Sequence, residues 1–333
     1  MNRSTFLLGL PALREGALWA TARALDAPVL VSANALSQWA VDADGYRMWT
    51  GFNARALKLV HSHPVALDSA GFVAACRYRG FPWETEDYLD LAAAAPWIWW
   101  ASQDWCVEPE VARDEDAVLD RISGTVRLNT LCLNGAKRRG SAHNFVPVIQ
   151  GWRPEHYLRC IDRMPFVLDS PVIGIGSMCR RHVRGPNGII RVLEALDNAF
   201  AGTATRFHLF GLKSQGIQHA AMHPRVASCD SQAYGMTARQ DAWRARAAKS
   251  DRYVAGIMRR WYEQQLATMR TPPSRPGLNH APPPESPARL APHEERIRNA
   301  YEELRVLHEA GELSWSQLSP QRAYEMEFLD EYG

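Results

Sequence analysis

The sequence predicts an α/β protein: a (β/α)8 barrel of the TIM type with an additional helical segment at its C-terminus. Three observations predict it. Short apolar runs rich in β-formers recur from Thr5 to Ser231, and most are followed by a stretch with helical spacing. Such alternation implies a parallel sheet with its crossovers on the outside. The runs number eight, the count that closes a barrel of this type. With 333 residues, 46% of them hydrophobic and 22% charged, the chain is also long enough and apolar enough to bury one sizeable core.

The strands are expected at residues 5–10, 28–33, 65–70, 97–104, 145–151, 172–177, 206–212 and 225–231. Residues 34–64 carry no clear pattern and are expected to form an irregular insertion. Thr85 before Glu86 and Asp87 marks a helix start, because a hydroxyl caps orphan amides and acids favour the positive helix end. Pro154 suits the first turn of a helix running through Tyr157, Leu158 and Ile161. Ile189, Val192, Leu193 and Leu196 fall at the spacing of one buried helical face.

After the barrel, Val254, Ile257, Met258 and Trp261 form an apolar stripe on a long helix whose other faces hold basic residues from Arg239 to Arg270. The barrel is therefore assigned to residues 1–270. A proline-rich linker without apolar patterning follows at 271–292, and a helical, acidic C-terminal segment at 293–333, with helices over 294–309 and 320–330.

Composition excludes several classes of function. No apolar run approaches the ~20 residues of a membrane span, and the apolar run at the N-terminus is too short for a signal peptide. A cytoplasmic protein with no membrane partner is expected. The six cysteines are scattered without a Cys-x-x-Cys pair, which fits buried thiols better than a redox couple or metal knuckle. Net charge is only +2, so any contact with nucleic acid must come from local patches such as the basic stretch after Arg239.

In a closed parallel barrel the carboxyl ends of the strands converge on the active face. This chain places polar residues or glycines there at strand after strand: Asp68 and Ser69, Gln103 and Asp104, Gln150 and Gly151, Gly176 and Ser177, Lys213 and Ser214, Asp230 and Ser231. Each also has an ordinary explanation. Asp68 to Gly71 is common turn chemistry, Asp230 could cap a helix, and Gln150 could satisfy a buried backbone group. Gly174-Ile-Gly176 lacks the third glycine of a dinucleotide loop. His61 and His63 read as a polar loop, and Trp97, Trp99 and Trp100 as barrel packing. Convergence favours function, because two carboxylates facing one pocket are the equipment that cleaves a glycosidic bond.

Six collinear segments resemble the tRNA-guanine transglycosylase superfamily, and more closely its DNA-acting branch, the DpdA family of deazapurine DNA modification proteins. They are Ala66-Leu-Asp-Ser-Ala-Gly-Phe72, Ala101-Ser-Gln-Asp-Trp-Cys106, Pro147-Val-Ile-Gln-Gly-Trp152 with Tyr157-Leu-Arg-Cys160, Val172-Ile-Gly-Ile-Gly-Ser-Met-Cys-Arg-Arg181, Phe210-Gly-Leu-Lys-Ser-Gln-Gly216 and Ala227-Ser-Cys-Asp-Ser231. The resemblance implies that Asp230 is a nucleophile holding the sugar covalently and Asp68 a general acid/base. It implies a base site of Ser69, Asp104, Gln150, Gly151, Gly174 and Gly176, with 7-cyano-7-deazaguanine as co-substrate. Arg180, Arg181 and Lys213 are candidates for phosphate contacts.

Ala70 replaces one glycine of the superfamily's Asp-Ser-Gly-Gly-Phe. No cysteine follows Cys229, so the zinc module of the tRNA enzymes has no counterpart. No structural zinc and no cofactor are expected, and DNA is the expected substrate, with helper proteins of a DNA modification system as further partners. The alternatives are the same exchange on tRNA, a hydrolase that leaves an abasic site, and an inactive nucleic-acid-binding barrel.

Overall fold

The computed structural model describes residues 4–271, apart from 44, 46, 245 and 247, together with 304 and 305. Its strands are β1 (Thr5–Leu10), β2 (Val29–Ser32), β3 (Ser37–Val41), β4 (Arg47–Phe52), β5 (Val65–Asp68), β6 (Trp100–Ala101), β7 (Phe145–Val146), β8 (Val148–Ile149), β9 (Val172–Ile175), β10 (Arg206–Leu209) and β11 (Val226–Ser231). The helices are α1 (Ala17–Ala24), α2 (Gly71–Tyr78), α3 (Thr85–Ala93), α4 (Glu115–Arg139), α5 (Pro154–Asp162), α6 (Ile189–Ala199), α7 (Ser214–Met222), α8 (Tyr234–Arg244) and α9 (Asp251–Arg270).

The main sheet has nine segments in the order β7-β6-β5-β2-β1-β11-β10-β9-β8, and every pairing given for them is parallel. Its two ends, β7 and β8, are halves of one strand separated by Pro147, so nine segments make eight strands and the ring closes. Proline has no N–H to give the ladder, which is why the strand divides there. The gap is repaired from outside. Asn129 of α4 donates to Val148 O at 3.0 Å and accepts from Val148 N at 2.8 Å. The chain is thus a (β/α)8 barrel.

Sequence chemistry sets the longest helix. Asp114 caps α4 by accepting from Asp116 N and Ala117 N, acids fill its first turn, basic residues fill its last, and Gly140 ends it in the left-handed region. Two layers of apolar side chains follow from strand alternation. Leu7, Leu30 and Ala66 point into the barrel, where Trp99 and Phe210 pack against them, while the larger core lies between strands and helices. Helix α9 packs against α1, α7 and α8, with Trp261 and Tyr262 on Phe6 of β1.

Four expectations need correction. Residues 34–64 are not irregular: β3 and β4 form an antiparallel hairpin after β2, exposed or half-buried along its length and so lacking clean alternation. The strand expected at 97–104 is reduced to β6, because the chain turns into the cavity wall after Ala101. The long basic helix is two helices, with α9 restarted by Ser250, whose hydroxyl accepts from Tyr253 N. Helix α3 is capped by Glu84 rather than Thr85, with Asp87 returning a bond to Glu84 N at 3.0 Å. Leu304 and Arg305 are helical. The expected proline-rich linker and the remainder of the two expected C-terminal helices fall outside the described residues.

Candidate active site

Strand ends bring the polar residues to one cavity of about 210 Å³, below the ~300–1,000 Å³ of sites for drug-sized ligands and so suited to a single heterocycle. Its wall includes Asp68, Asp104, Gln150, Gly176 and Asp230, with Leu30, Phe72 and Phe210 supplying apolar surface. Asp68 is the last residue of β5 and Asp230 stands near the end of β11.

The turn after Asp68 is locally determined. Asp68 Oδ2 accepts from Ala70 N at 3.0 Å, and Ala70 takes φ 67°, a left-handed conformation that costs an alanine roughly 1–2 kcal/mol. That is where the resembling sequences carry glycine. Buried backbone strain of this kind gathers at functional sites.

A chain of hydrogen bonds builds one wall. Ser69 Oγ donates to Asp104 Oδ1 at 2.9 Å, and Gln150 Nε2 donates to Asp104 Oδ2. Ser177 Oγ donates to Gln150 Oε1 at 2.7 Å and accepts from Val107 N at 2.8 Å. Gly176 makes this possible, since a Cβ there would lie 2.1 Å from Gln150 Nε2. The result is a fixed carboxylate and a fixed amide at the edge of the cavity, the groups that suit a flat base bearing both donors and acceptors.

Asp230 is held differently. Gly211 N donates to its Oδ1 at 2.9 Å, from a glycine whose φ of 66° turns that amide toward β11. His208 Nε2 lies 3.3 Å from the same oxygen.

Burial dominates the electrostatics. Removal from water, reinforced by the Asp104 and Asp230 charges, raises the Asp68 pKa to about 7 despite the bond from Ala70 N. Asp104 is raised to about 6 by burial, with the Gln150 and Ser69 bonds opposing. Glu108, on the same cavity, is raised to about 7, chiefly by burial and against the pull of Arg180. An acid that shares its proton near neutrality is equipped to give and take one.

The remaining candidates are placed as follows. Ser69 lies behind Asp104 and is buried. Gly174 lies deeper in the barrel, with the Phe210 ring filling the space of its missing side chain. Gly151 packs on α5 and accepts from Arg181 Nη2 at 3.1 Å.

Arg181 is 3% exposed and its guanidinium is consumed inside the protein. It bonds Trp152 O at 2.6 Å, Ser177 O at 3.3 Å, Tyr157 Oη at 2.9 Å and the carbonyl of Asn187. It is a strut between loops and offers no surface to a phosphate. Arg180 is largely covered and pairs with Glu110 at 2.7 Å. Lys213 is exposed at the start of α7.

Sequence reasoning named Ser177 only as a polar strand end and did not single out Glu108 or His208. A histidine within the apolar run of the seventh expected strand, 206–212, was the available signal for His208. Among the described residues no helix is long and apolar enough to cross a membrane, and no cluster of three or more His, Cys, Asp or Glu is arranged to hold a metal ion.

Comparison with known proteins bears on this site. The model of one protein family, DpdA: DeoxyPurine in DNA protein A, matches residues 46–270, about two thirds of the chain. No curated protein matches. The matched region contains β5 to β11 and every residue of the cavity wall named above except Leu30. The chain belongs to the DpdA family, which supports a transglycosylase-type role in the deazapurine modification of DNA.

Proposed function

We propose that this protein exchanges guanine in DNA for 7-cyano-7-deazaguanine through a covalent aspartyl-sugar intermediate. The observation that carries the reading is the pairing, on one purine-sized cavity, of a carboxylate anchored through one oxygen, Asp230, with a carboxyl that shares its proton near pH 7, Asp68.

The target nucleotide leaves its stack, at a cost of roughly a few kcal/mol, because a barrel mouth cannot reach an anomeric carbon inside a duplex. Asp104 and Gln150 hold the edge of the base. Asp230 attacks C1′, the C1′–N9 bond breaks, and its electron pair leaves with guanine, which takes the proton of Asp68. The sugar is now an ester of Asp230. The incoming base then gives its N9 proton to Asp68, N9 attacks C1′, and Asp230 departs as a carboxylate. Two displacements retain configuration. No cofactor enters this scheme, and the deazaguanine is a co-substrate.

DNA is favoured by family membership and by the lack of any cysteine after Cys229. Lys213 is assigned to a phosphate contact, which positions the strand without selecting sequence.

The test is exchange of radiolabelled guanine or deazaguanine into duplex DNA, single-stranded DNA and tRNA side by side, with nucleosides identified by mass spectrometry. Incorporation into DNA, abolished in Asp230→Asn, is the expected result. Incorporation into tRNA alone would defeat the substrate assignment, and guanine release without a deazapurine would point to a hydrolase.

A further inference from the structure

The floor beneath Asp230 is unusual for a barrel interior. His208 is 0% exposed, with its ring 4.6 Å from Trp99 and 4.5 Å from Phe210, centroid to centroid. A polar ring in an apolar layer is costly unless its nitrogens are used. Nδ1 lies 2.8 Å from Ser228 Oγ, whereas Nε2 has no hydrogen-bond partner among the described residues and faces Asp230 Oδ1 at 3.3 Å.

The backbone aligns these groups. The register between β10 and β11 shifts after Phe207, so that Phe207 faces Val226 but His208 faces Ser228, skipping Ala227. Shifts of this kind re-aim side chains near active sites. Ser228 and Asp230 then share the inner face of β11 by the two-residue period of a strand, with His208 beside them.

We propose that His208 and Ser228 form a positioning pair, in which Ser228 sets the tautomer of His208 and His208 the rotamer of the Asp230 carboxylate, leaving Oδ2 as the oxygen that attacks the sugar. This rests on the exchange reading above. An Nε2 lone pair facing a carboxylate at that distance would be repulsive, so the proton sits on Nε2, and Ser228 Oγ donates to Nδ1. Gly211 N donates to Oδ1 and Nε2 faces the same oxygen, so one carboxylate oxygen carries both contacts, and no donor among the described residues holds the other. The order is the reverse of a hydrolase triad. The hydroxyl lies at the bottom, away from the cavity, and the carboxylate lines it.

The experiment uses the full chain, labelled with 15N-histidine, together with steady-state exchange of radiolabelled guanine into duplex DNA. The His208 proton is expected on Nε2, with its resonance shifted in Asp230→Asn. His208→Leu is expected to lose about 10²-fold in kcat, the scale of a small misplacement of a reacting group, at unchanged KM for guanine. His208→Gln, whose amide N–H can reach the same oxygen, is expected to recover most of that loss. A proton on Nδ1, a kcat for His208→Leu within about twofold of wild type, or an effect confined to KM would overturn the proposal. A wild-type protein that exchanges no guanine defeats the exchange reading instead, and the tautomer still decides whether His208 is set against Asp230.

Discussion

At the scale of single residues, Asp68 is the group that pH addresses. Its pKa of about 7 leaves it half protonated at neutrality, and the two half-reactions of the proposed exchange need opposite forms. Guanine release in a single turnover should fall as pH rises through 7, because the proton donor disappears. Return of a base to the trapped ester should rise over the same interval, and one flat profile for both would remove Asp68 from the chemistry. Stability has its own sign. A carboxyl whose folded pKa lies above its unfolded value favours the native state at low pH and loses that contribution as pH climbs from about 4 to about 7. Denaturant titrations of Asp68→Asn should show this slope removed. Gly176 is the second lever. An added methyl would displace the Gln150 amide, so Gly176→Ala should raise the KM for the incoming base by roughly 10- to 100-fold, the value of a hydrogen bond to a charged group, with a smaller change in kcat.

Elements show what a sequence can and cannot display. The strands of the barrel were legible because β-forming apolar runs ended in polar residues, and Asp68, Asp104, Gln150 and Asp230 were legible because the barrel sends all such ends to one rim. The hairpin of β3 and β4 was not legible, since neither face is fully buried and alternation has nothing to record. Nor was His208, whose partners Ser228 and Asp230 become neighbours only through a register shift that no spacing reveals. Arg181 illustrates the opposite failure, a cation that reads as surface until its loops fold around it. The divided strand at Pro147 offers a test. Asn129→Leu keeps the bulk of α4 but orphans the N–H and C=O of Val148, and should cost about 1–3 kcal/mol for each group in chemical denaturation. An unchanged midpoint would mean that the closure of the barrel does not depend on that side chain.

For the whole molecule, a net charge of +2 means that the proposed grip on DNA rests on local cations and not on an overall field. Lys213→Ala should weaken DNA binding at every sequence alike and lower the slope of affinity against salt by about 1, with the KM for the free base untouched. A change in base preference would place Lys213 in recognition instead. Arg181 has a consequence at this scale too. One guanidinium grips carbonyls of the loops that carry Gly151 and Ser177, so a single side chain ties the two together. Remodelling either loop without the other would strand a cation in the protein interior, so any redesign of this rim has to move both together.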